Sequence, residues 1–89
     1  MKCVVSVLGK DQSGIVAAVA NVIADAKANI DDISQTILGE LFSMTMLVTL
    51  SPEGDDFNTV QEALAAVGEK MGIQVTIQRQ DVFDFMYTV

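Results

Sequence analysis

The stretch Leu41-Phe42-Ser43-Met44-Thr45-Met46-Leu47-Val48-Thr49-Leu50 decides the fold. Phe42, Met44, Met46, Val48 and Leu50 fall on one side of an extended chain, and Ser43, Thr45 and Thr49 on the other. The segment reads as a strand with one apolar face. Just upstream, Gly39-Glu40 suits a two-residue hairpin of the Gly-X type, which pairs this strand with an extended stretch from about Ile30 to Leu38. Downstream, Ser51-Pro52-Glu53-Gly54 is a turn cluster, after which the period changes. Phe57, Val60, Leu64, Val67 and Met71 step by three and four, as in a helix; Asp55 or Asp56 is its expected cap and Gly72 its expected end. Ile73, Val75 and Ile77 then alternate with Gln74, Thr76 and Gln78 as a strand.

The N-terminal part follows the same plan. In residues 2–8, Cys3, Val5 and Val7 point one way, and Val4, Ser6 and Leu8 the other. Gly9-Lys10-Asp11-Gln12-Ser13-Gly14 breaks the alternation, and Ile15, Val19, Val22, Ile23 and Ala26 then form a helical stripe. Asp11 is the expected N-cap of that helix, and Asn29 suits its left-handed exit. The order is strand, helix, strand, strand, helix, strand. Two βαβ halves joined by a hairpin predict an α+β, ferredoxin-like βαββαβ sandwich. Its four-stranded antiparallel sheet has the first and third strands at the centre and two helices on one face. The opposite face mixes Ser43, Thr45, Gln74, Thr76 and Gln78 with Val4, Leu8, Leu41 and Leu47; a half-apolar face of this kind usually meets something. Residues 1–80 make one domain. Residues 81–89 form a short C-terminal extension, apolar for a terminus, which is expected to pack on the sheet or on a partner subunit.

Composition narrows the function classes. A chain of 89 residues buries roughly two-thirds of its unfolded surface, so its core is thin and a second copy would help it. The net charge is −7, and the only cations are Lys2, Lys10, Lys27, Lys70 and Arg79. That is a poor footprint for phosphates or anionic lipid, so neither nucleic acid nor membrane is expected as a partner. The apolar runs fall far short of the ~20 residues that cross a bilayer. No signal peptide is visible and the single Cys3 cannot form an internal disulfide, so a cytoplasmic location is expected.

The loop from Gly9 to Ile15 holds the chemistry. It leads into a helix N-terminus, where first-turn N–H groups lack intrahelical partners and the helix dipole adds partial positive charge. Such a place holds a small ligand's carboxylate without Arg or Lys. Gly14, with no Cβ, allows close approach. Asp11 could cap the helix or face an ammonium group, and an ordinary capped loop would have much the same composition.

Two segments carry a family resemblance. Gly9-Lys10-Asp11-Gln12-Ser13-Gly14-Ile15-Val16 resembles the D-x-x-G-[ILV] signature of ACT domains, and Ala28-Asn29-Ile30-Asp31-Asp32-Ile33-Ser34-Gln35 resembles the family's A-N-I start of the second strand. The likeness covers about residues 2–79. It is strongest to small stand-alone bacterial and archaeal ACT proteins of the glycine-cleavage-repressor type, including Ile33-Ser34-Gln35-Thr36, Met44-Thr45-Met46 and Asp81-Val82-Phe83. The resemblance implies a regulatory, non-enzymatic module that binds an amino acid or similar effector. It also implies a homodimer that pairs through sheet edges or helix faces with ligand at the interface. Carried onto matching positions, the ligand-binding residues are Asp11, Gln12, Ser13, Gly14 and Ile15 in the loop, and Asn29, Ile30 and Ile33 opposite. Ser13 departs from the family, many members of which have proline there.

Other constellations argue against an enzyme. There is no histidine, the commonest acid–base residue and metal ligand. Cys3 lies within a strand with nothing to activate it. Asp31 and Asp32 are adjacent and point to opposite faces of an extended strand. Glu53, Asp55 and Asp56 lack EF-hand spacing and read as helix-capping residues. No cofactor, metal or catalytic residue is expected. The alternative function is a protein–protein interaction module with no small-molecule ligand.

Overall fold

Alternating apolar residues drive the sheet together. In the computed structural model, which describes the backbone of residues 1–87 and the side chains of residues 1–84, β1 (Lys2–Lys10) runs between β3 (Leu41–Thr49) and β4 (Gln74–Arg79). β2 (Asn29–Leu38) pairs with the outer side of β3, giving an antiparallel sheet of order β2-β3-β1-β4. The expected centre and edges are therefore observed. α1 (Ile15–Asp25) and α2 (Phe57–Met71) pack together on one face. Between sheet and helices lies the core. Cys3, Val5 and Val7 from β1 meet Phe42, Met44, Met46 and Val48 from β3, capped by Ile15, Val19 and Ile23 of α1 and by Val60 and Leu64 of α2. Burying such side chains contributes about 1.5–3 kcal/mol each.

The hairpin is as expected. Leu38 pairs with Leu41 across Gly39, which sits at φ 63, so the two-residue loop has its glycine where a positive φ is required. α2 is also as expected: Asp56 accepts a 2.9 Å bond from the Thr59 amide, and Gly72 ends the helix in the left-handed region.

Three local expectations are corrected. Asp11 does not cap α1. The N-cap is Gly14, left-handed at φ 89, and no side chain bonds to the helix start. Asp11 is instead drawn away by its backbone, whose N–H donates to the Glu40 carbonyl at 2.7 Å. Asn29 does not take the left-handed helix exit either; Lys27 does, at φ 59, and Asn29 is the first residue of β2. Finally, β2 is not a plain strand. A bulge between Ile30 and Asp32 leaves Asp31 as an extra residue.

After β4 the chain turns into α3 (Gln80–Tyr87), which lies against β1 and β4. Val4 points away from α1 and α2 yet is only 2% exposed, so α3 closes that end of the otherwise open face. Of the extension from 81 to 89, residues 88 and 89 and the side chains of 85–87 lie outside the described residues. No helix among the described residues is long and apolar enough to cross a membrane.

Candidate functional site

The loop from Asp11 to Gly14 is held from two sides. On one side, the Asp11 amide is bonded to the hairpin at Glu40. On the other, the Gln12 side-chain amide donates to the Met71 carbonyl at the end of α2, at 3.0 Å. The loop is therefore pinned between hairpin and helix while its own residues stay exposed. Gly14 then swings into the left-handed region, and its carbonyl accepts the first helical bond, from the Ala18 amide at 2.9 Å. The amides of the first turn have no side-chain cap, and no acidic residue stands in that turn. A Cβ placed on Gly14 would meet nothing within 4 Å, so the space before the helix is open. The arrangement is an accessible helix start that offers backbone donors to an anion.

The sequence-derived residues divide into two groups. Asp11, Gln12, Ser13 and Gly14 line the exposed loop. Ile15 follows them, but its side chain is 1% exposed and belongs to the core, so only its amide faces the loop. Asn29 and Ile30 lie elsewhere. They pair with Thr49 and Val48, which face Lys2 and Cys3, whereas the loop continues from Lys10. Eight residues of strand put the two ends about 26 Å apart. Ile33 sits between them, opposite Met46. A single chain does not bring the two groups together. The β2 residues nearest the loop are Ile37 and Leu38, through the row Lys10, Leu41, Leu38. They were missed because this neighbourhood depends on strand register, which local pattern does not carry.

At the far end, Asn29 and Thr49 both donate to the Asp31 carboxylate. The bond from Thr49, then that from Asn29, holds this carboxyl below its usual range. The extra residue of the bulge is thus tied to the neighbouring strand. Burial pushes the Cys3 thiol above its ordinary range, which makes it a poor nucleophile at neutral pH. Among the described residues, no group of three His, Cys, Asp or Glu side chains could hold a metal ion. A hollow of about 490 Å³ opens beside the loop, lined by Leu8, Gly9, Gly68 and Ile73 among others. Packing against Ile73 explains Gly9 and Gly68, since a Cβ on either would run into that residue.

The family model of the ACT domain matches residues 2–78. The chain belongs to the ACT domain family and to the UPF0237 proteins. A UPF0237 protein of Methanocaldococcus jannaschii is 47% identical to this ACT protein over 88 residues, which are 99% of this chain and 98% of the relative. An ACT domain protein from Streptococcus pneumoniae has a solved structure that superposes with a TM-score of 0.80 at 43% identity, covering 94% of each chain. A candidate glycine cleavage system transcriptional repressor superposes with a TM-score of 0.76 at 25% identity, over 86% of this chain and 44% of that one. The ACT fold expected from the sequence is thus the fold of its relatives, and ACT domains are commonly regulatory modules that bind amino acids.

Proposed function

We propose that this chain is a cytoplasmic regulatory module that binds an amino acid as a homodimer and catalyses no reaction. The observation that carries this reading is the start of α1, where the first-turn amides lie open beside Gly14 with no side chain capping them. The ligand carboxylate would sit on those amides, flanked by Asp11, Gln12, Ser13 and the Ile15 amide. The Asp11 carboxylate is exposed and available for the ligand's ammonium group. Asn29, Ile30 and Ile33 would complete the site from a second copy. Antiparallel pairing of two β2 edges would place the start of one β2 beside the end of the other, and so beside the loop end of the other sheet.

Calorimetry with a panel of amino acids tests the proposal. Saturable binding by the dimer is expected; a folded dimer that takes up no amino acid at millimolar concentration would leave the fold without this function. A second reading, a protein-docking module with no small ligand, draws support from β2, exposed along all ten residues. Capture of one stoichiometric partner without added metabolite would favour it.

A further inference from the structure

We infer that Asp31 is a positioning residue: it holds the side-chain amide of Asn29 so that the Asn29 carbonyl oxygen turns outward, where it would accept from a ligand's ammonium group. This rests on the proposed function and assigns the chemistry of one contact in it. The bulge supplies the geometry. Asn29 and Thr49 are partners across β2 and β3, and Asp31, the residue that the ladder skips, reaches both. Asn29 Nδ2 donates to one oxygen of the Asp31 carboxylate at 2.6 Å, and the Thr49 hydroxyl donates to the other. Two donors on separate oxygens fix the plane of the carboxylate. The bond from Thr49, then that from Asn29, keeps the carboxyl below its usual range, and Lys2, which pairs with Thr49 from β1, adds a smaller pull the same way. Asp31 is therefore ionised at neutral pH.

An ionised carboxylate only accepts hydrogen bonds. The end of the Asn29 amide that faces Asp31 must therefore be its NH2, which leaves Oδ1 on the side away from Asp31. Asn29 is exposed, and no residue among those described donates to that oxygen. An asparagine that is free to turn offers either end of its amide, and so suits a carboxylate as well as an ammonium group. Asn29, held by Asp31, offers an acceptor outward. That acceptor suits an ammonium group and repels a carboxylate, and the Asp31 charge behind it acts in the same sense. An ammonium group has three N–H donors, so one ligand can meet Asn29 and Asp11 of the partner subunit together. The ligand class selected here is a carboxylate that bears a primary amine; the same acid without its amino group has nothing to give this contact.

Two measurements on the full chain test the assignment. The first needs no ligand. In nuclear magnetic resonance spectra the side-chain NH2 signals of Asn29 should shift on Asp31→Ala and stay in place on Asp32→Ala, since the Asp32 carboxylate accepts from the Ile33 amide instead. Both aspartates are exposed, so neither variant empties the core. Signals that ignore Asp31→Ala would overturn the orientation. The second compares, by calorimetry, each amino acid that binds with the carboxylic acid lacking its α-amino group, as L-alanine with propionate. Wild type should prefer the amino acid, and Asp31→Ala should lower that preference roughly tenfold by weakening the amino acid alone. A merely structural role for Asp31 would weaken both probes alike; an unchanged ratio would overturn the proposal. If the folded protein binds no amino acid, the proposed function fails and the ammonium contact with it, while the first measurement still decides how Asn29 is held.

Discussion

The first two corners that carry the chain from strand to helix are built in opposite ways. At the β3–α2 corner everything is closed. Asp56 caps α2 through the Thr59 amide, the Asp55 amide donates to the Ala26 carbonyl at 3.1 Å, and Gly54 is pressed against the Ala26 backbone. At the β1–α1 corner the helix start has no side-chain cap and the glycine faces open space. Both glycines are needed, Gly54 for want of room and Gly14 for its positive φ. An uncapped helix start costs stability where a capped one does not, and under the proposed function a bound ligand would supply the missing acceptor at the first corner.

The difference can be broken most severely at Gly54. Gly54→Ala sets a methyl group against the Ala26 carbonyl, and backbone cannot step aside as a side chain can. The expected loss is about 1–3 kcal/mol, seen as a lower midpoint in urea unfolding. An unchanged midpoint would mean that this corner is looser than described. Gly14→Ala meets no neighbouring atom, and its cost is only that of a left-handed alanine, about 1 kcal/mol. Its larger effect should be on amino-acid binding, weakened roughly tenfold or more as the new methyl group stands before the helix start. Equal affinity in wild type and variant would separate the open corner from the ligand.

Asp56→Ala should have the smallest effect, a melting temperature lower by a few degrees with amino-acid binding unchanged. The bond from the Thr59 amide holds the Asp56 carboxyl below its usual range. A carboxyl whose pKa is lowered on folding stabilises the protein fully above its unfolded value, about 4, and loses that contribution as pH falls through the lower folded value. The gap between variant and wild type should therefore be widest at neutral pH and close in acid. A gap that persists at pH 2 would assign it to something other than the carboxylate's charge.

The second cap and the first differed in legibility for a physical reason. Asp56 bonds three residues along its own chain, so a local reading could find it. Asp11 looked equally suitable, but its amide is claimed by Glu40 in the hairpin, and the turn that follows gives the N-cap to Gly14. Asn29 was displaced from the helix exit in the same way. The residues ahead of it must meet the β3–α2 corner, where the Ala26 carbonyl accepts from Asp55, and the left-handed position falls on Lys27. β2 was legible as a strand but not as an exposed one. Ile30, Ile33 and Ile37 have the composition of buried positions, yet on this edge strand each stays more than a third exposed.

By itself the sequence determined the order of elements, the apolar faces of β1, β3, α1 and α2, the hairpin at Gly39 and the ends of α2. Each of these depends on neighbours within a few residues, where strand and helix periodicity act directly. Tertiary structure alone decided that α1 begins uncapped, with the Asp11 amide held by Glu40, and that Ile33 and Ile37 of β2 stay exposed. Those outcomes follow from register between strands distant in the chain, and register is set by how the whole apolar set packs at once rather than by any one segment.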